Sequence, residues 1–83
     1  MNITTKAGTE VEVVEVAASD LAAGDAIIAY GRPREIGRVT VFVNTGSGST
    51  GRYAPGNLRF VSADNGSFLA NGCKPTKTYL KVV

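Results

Sequence analysis

The chain has 83 residues, a net charge of +2, no histidine and one cysteine. That length holds a single domain near the lower limit of what an unstapled core stabilises. The missing histidine excludes a Ser-His-Asp triad, a Cys-His nucleophile and an ordinary zinc site, and lone Cys73 excludes an internal disulfide, which suits a reducing cytoplasm.

The apolar fraction, 43%, includes ten alanines, and the larger side chains are dominated by ten valines against four leucines, with eight threonines besides. Branched residues lose rotamer freedom in helices and fit a pleated surface, so the bias is towards strands. The N-terminus has no apolar targeting core and no run is long enough to span a bilayer, so a cytoplasmic protein without a membrane partner is expected. Charge is uneven along the chain. Residues 1–35 carry net −3 and residues 36–83 net +5, a pattern that favours an anionic partner if folding turns it into a face.

In chain order, residues 1–9 read as a frayed terminus or a short edge strand around Ile3. Residues 10–17 alternate valine with glutamate, then change phase at Val14, which predicts one strand with a β-bulge. Ser19 to Ala23 predicts a single helical turn capped by Ser19, with Leu21 inward and Gly24 as the left-handed exit. Ala26 to Tyr30 is a continuous apolar run, the mark of a strand covered on both faces. Gly31-Arg32-Pro33-Arg34-Glu35 predicts a turn tip that exposes two arginines, because proline cannot donate to a ladder.

Ile36 to Asn44 alternates most cleanly. Val39, Val41 and Val43 form the expected core face, with Arg38, Thr40, Phe42 and Asn44 opposite; Phe42 belongs either to a second cluster or to the surface beside Arg38. Residues 44–57 form a long glycine-rich loop without apolar periodicity. Gly46 to Gly51 matches G-x-G-x-x-G, but Arg52-Tyr53-Ala54-Pro55-Gly56 cannot open the helix a dinucleotide site needs. Leu58 to Ala63 alternates again, Asp64-Asn65-Gly66 is a hairpin turn, Ser67 to Ala70 returns, Asn71-Gly72 turns, and Tyr79 to Val83 closes the sheet. The expectation is an all-β chain: a small, partly open SH3-like barrel of five to six short strands with one helical turn near residues 19–23.

Asp20-Leu21-Ala22-Ala23-Gly24-Asp25-Ala26-Ile27, with Gly37-Arg38-Val39-Thr40-Val41 after it, resembles the opening of small SH3-like barrels in which D-L-x-x-G-D-x-I leads into the first barrel strand. The pattern is similar to that of small accessory proteins of phages that infect actinobacteria, and to the start of the Hint fold of inteins. Gly31 to Val41 also resembles a KOW segment. The match covers about a quarter of the chain and encodes a turn and a strand, so it speaks to architecture. The intein chemistry does not carry over, for want of an N-terminal cysteine and any histidine.

Glu10, Glu12 and Glu15 alternate with valine as solvated exterior and lack the opposed geometry of paired catalytic carboxylates. The remaining candidates are basic and aromatic: Arg32, Arg34, Arg38, Arg52, Tyr53 and Arg59 as binding residues, near Tyr30, Phe42 and Phe60. If the 31–35 turn and the 44–57 loop share one end, Arg32, Arg34, Arg52 and Tyr53 come together. Arginine and tyrosine anchor protein interfaces, and the same residue types hold phosphate and stack bases. The expected function is a non-enzymatic binding module without cofactor or metal, in the manner of a phage accessory protein docking onto a host or viral protein. A nucleic-acid-binding barrel is the alternative, and self-association through an edge strand belongs to the protein-binding class.

Overall fold

The structure, a computed structural model, describes residues 1–43 and 51–83, with Arg52 described through its backbone alone. Gly46 to Thr50 of the expected G-x-G-x-x-G stretch, and the first half of the 44–57 loop, therefore lie outside the described residues.

The described chain is all-β. Its strands are β1 (Asn2–Thr4), β2 (Glu10–Ala17), β3 (Ala26–Ala29), β4 (Arg32–Val41), β5 (Leu58–Ser62), β6 (Phe68–Cys73) and β7 (Thr78–Val82), with 3₁₀ turns at Ala18–Asp20 and Gly51–Tyr53. They form one open antiparallel sheet in the order β1-β2-β7-β3-β4-β5-β6. Six strands correspond to the expected set. The seventh is β1, which the terminal amine and Met1 carbonyl fasten to both backbone groups of Val13.

Two expectations near the N-terminus change. The β2 ladder runs without a register shift, from β1 through Glu12 to β7 from Val13 onwards. The phase change at Val14 is a change of partner strand, and no bulge is needed: Val13 is fully buried and Val14 is 44% exposed. The helical turn lies one residue early, over 18–20, and Ser19 sits inside it rather than capping it. Asp25 does the fastening instead, its carboxylate accepting the Ala22 N–H at 3.0 Å. Leu21 is buried and Gly24 has φ +98°, both as the spacing predicts.

The largest correction concerns residues 31–35. They are not a turn tip. The turn is the pair Tyr30-Gly31, both at positive φ, flanked by Ala29 and Arg32 facing each other. From Arg32 the chain is already strand. In a two-residue hairpin the flanking pair is the hydrogen-bonded one, so the next pair, Ile28 and Pro33, is not. The N–H that Pro33 lacks would point away from β3, and β5 begins to pair only at Ile36. Proline therefore costs this strand no ladder bond.

β4 bends at Gly37. Its first half pairs with β3 and its second with β5, and the register shifts between Ile36 and Arg38. A Cβ at Gly37 would stand 2.7 Å from the Cα of Ala63, so only glycine lets the strands approach this closely. A second bulge sits at Gly72 (φ +92°), where Leu58 faces Cys73 and Arg59 faces Asn71. Asn71-Gly72 is thus a bulge within β6, not a turn between strands.

The core lies between the two halves of the sheet. Phe60, Ile27 and Ile36 are fully buried, with Ala18, Leu21, Leu58, Leu69 and Cys73 around them. Each of the large ones contributes about 1.5–3 kcal/mol by leaving water. Tyr79 packs edge-on against Phe60 at 5.7 Å. Val39 joins the core, but Val41 is 55% exposed and Val43 67%: past Val39 the expected core face has run beyond its cover.

Candidate functional site

Beyond Gly37 the outer face of β4, β5 and β6 carries Arg38, Thr40 and Phe42, then Arg59 and Val61, then Phe68 and Asn71. The register sets Arg38 against Val61 and Val61 against Phe68, and Thr40 against Arg59 and Arg59 against Asn71. Arg59 is the centre of this face. Its guanidinium carbon lies 5.0 Å from the Phe42 ring centre and 4.8 Å from that of Phe68. Asn71 accepts its Nε–H at 2.9 Å. Two cation–π contacts and one hydrogen bond, the contacts each about 0.5–1 kcal/mol at a half-open site, hold a long side chain in one place.

Tyr53, on the 3₁₀ turn, extends the cluster, meeting Phe42 edge-on at 5.5 Å. Phe42 is fixed beyond the end of β4, its N–H donating to Asn57 and its carbonyl accepting from Gly56, both at 2.9 Å. Phe68 is 47% exposed and Tyr53 43%. Among the described residues, the Nη groups of Arg59 and the whole guanidinium of Arg38 have no acceptor. Every carboxylate of the chain except Asp64 precedes Ile36, so the face is cationic and aromatic with no acid of its own.

The candidate arginines are therefore dispersed. Arg38, Arg59 and Tyr53 share the outer face. Arg32 lies at the opposite end of β4, beside Lys6 and Tyr30. The Arg52 side chain is outside what the structure describes. Arg34 is 8% exposed, the opposite of the exposed turn residue expected, because in a continuous strand it shares the inward face of Ile36. Its Nη2 reaches the Ser62 hydroxyl at 3.2 Å, Asp64 and Asn65 at 3.3 Å and the Ser67 hydroxyl at 3.4 Å, while its Nε is buried without an acceptor among the described residues. Arg34 is a clasp beneath the 63–67 turn. Asp64, which accepts from Ser62 and pairs with Arg34, has its carboxyl held below the ordinary 3.8 by the Ser62 hydroxyl first and Arg34 second.

Phe68 was not among the candidates, although its signal is in the chain. The Asn65-Gly66 turn folds β6 back on β5, and counting from it brings Phe68 onto the face of Val61 and Arg59. Cys73 is buried and free, under Tyr79, whose phenol is pushed up by burial and by the Cys73 side chain. No helix among the described residues is long and apolar enough to cross a membrane. The described residues hold no cluster of metal-ligating side chains. Comparison with protein-family models, curated proteins and solved structures gives no match.

Proposed function

We propose that this chain is a small, non-enzymatic binding module of the SH3-like kind that docks onto an acidic protein surface through the outer face of β4, β5 and β6. The observation that carries the reading is the Arg59 clamp. An arginine immobilised between Phe42 and Phe68, its Nη groups without an acceptor among the described residues, has already lost the freedom that binding would otherwise remove. Arginine and half-exposed aromatics are the residue types that dominate binding hot spots, and a carboxylate is the group a planar guanidinium holds best. The SH3-like assignment is supported by β4, bent at Gly37 and shared between two ladders, and by β7 returning to lie between β2 and β3. In keeping with the resemblance of residues 20–27, the module is proposed as a phage accessory protein, with a host or viral protein in the cytoplasm as its partner.

Nucleic acid fits this face less well. Stacking needs open ring faces, and Arg59 covers one face of both Phe42 and Phe68. The test is capture on immobilised protein from lysate with and without nuclease treatment, with wild type, Arg59→Ala and Phe68→Ala side by side. A partner retained by wild type and lost by both variants is the expected result. Capture that ignores both substitutions removes this face from the proposal, and capture abolished by nuclease transfers it to nucleic acid.

A further inference from the structure

At the far end of the molecule from the Arg59 face, two loops meet. The 5–9 loop between β1 and β2 lies on the Tyr30-Gly31 turn, with the Lys6 N–H donating to the Gly31 carbonyl at 2.8 Å. The Lys6 stem covers Gly31 so closely that a Cβ there would stand 2.9 Å from its Cγ. Between the loops is an open cleft of about 480 Å³ lined by Lys6, Ala7, Tyr30 and Arg32.

Tyr30 is the unusual member. It is the one non-glycine at positive φ among the described residues, at +54°, in the first central position of a two-residue hairpin turn. Asparagine, aspartate or glycine fills that position readily, and a bulky side chain strains it. Such strain is tolerated where the side chain serves another end. Packing is not that end, since Tyr30 is 70% exposed. Lys6 and Arg32, on either side of it, have no carboxylate partner among the described residues, whereas Arg34 and Lys81 do.

We propose that this cleft binds a nucleotide unit, its phosphate held by Lys6 and Arg32 and its base stacked on Tyr30. Two cations without a carboxylate partner among the described residues, beside one exposed ring in an open cleft, match a ligand that carries an anion and a flat π-face together. The unit comes either as a free nucleotide or as part of a single strand. This site is independent of the docking face.

The test is amide chemical-shift titration at low salt with adenosine monophosphate, with a short oligothymidylate and with inorganic phosphate. Saturable shifts confined to Lys6, Ala7, Tyr30, Gly31 and Arg32 are expected with the monophosphate or the oligonucleotide, and whichever saturates at lower concentration identifies the source. Tyr30→Asn relieves the turn while removing the ring. It is expected to keep the melting temperature at or above that of wild type and to weaken binding at least about fivefold, the lower bound for losing one base stack. Arg32→Gln weakens binding as well, and Arg59→Ala leaves it unchanged. Absence of saturable shifts with either nucleotide overturns the proposal. So does equal binding of inorganic phosphate, or full affinity in Tyr30→Asn.

Discussion

Arg34 shows how one residue changes meaning with its backbone. On a turn it would be a free cation, but on a strand that also buries Ile36 it becomes an internal tie for the 63–67 turn. Arg34→Ala strands the Ser62, Asp64, Asn65 and Ser67 acceptors it serves and should destabilise the fold by about 1–3 kcal/mol in urea titration. The pH dependence has a definite sign. Because the folded Asp64 carboxyl is held below its ordinary 3.8, chiefly by Ser62, its contribution is complete above that value and is lost as pH falls through the lower folded one. Wild type should therefore lose extra stability below about pH 4, and Ser62→Ala should show a shallower acid limb. Tyr79 runs the other way. Its phenol is raised by burial and by Cys73, so its stabilisation is complete below the ordinary value of 10.0 and is lost progressively as pH rises from there through the folded one. Phenolate absorbance from Tyr79 should appear together with alkaline unfolding, and Tyr79→Phe should remove that component.

At the scale of the element, β4 decides where Arg32, Arg34 and Arg38 go. Its alternation from Arg38 onward was legible in the sequence, as were β2, β3, β5 and the Asn65-Gly66 turn, because each rests on local chemistry. The first four residues of β4 were not. Pro33 and three charged neighbours carry a turn signature, and they are strand only because Tyr30-Gly31 makes the turn and Pro33 falls on a pair that needs no N–H. That depends on register, a property of two strands together. The same limit hid the Arg59 clamp, since Phe42, Arg59 and Phe68 are separated along the chain and meet only across the sheet. Gly37 is where register becomes testable. The added methyl of Gly37→Ala meets the Ala63 backbone, which cannot rotate away, so about 1–3 kcal/mol of destabilisation is expected. Gly8→Ala, with open space around its Cβ but φ +83°, strains only the backbone and should cost about 1–2 kcal/mol. Chemical denaturation of the two variants separates crowding from conformation.

For the whole molecule, the uneven charge along the chain becomes uneven charge in space. β4, β5 and β6 carry the cationic aromatic face, while the glutamates of β2 lie on the other side of β7 and β3. What joins the two regions is β7. It pairs with β2 along its whole length and touches β3 at Lys81 opposite Ile27, and Lys81 reaches Asp25 at 3.5 Å. Tyr79 from the same strand packs on Phe60 of β5. A strand added last along the chain thus occupies the middle of the sheet, and β2 has no second neighbour except β1 without it. Removing residues 78–83 should abolish the cooperative thermal transition, since it opens the core at Phe60 and leaves β2 unattached to β3. Removing residues 1–4 takes away only the edge strand β1 and should lower the melting temperature while preserving one cooperative transition. Circular dichroism melts of the two shortened chains distinguish a sheet organised around β7 from two ladders that fold independently: independent ladders would keep a transition after the 78–83 deletion, carried by β4, β5 and β6 alone.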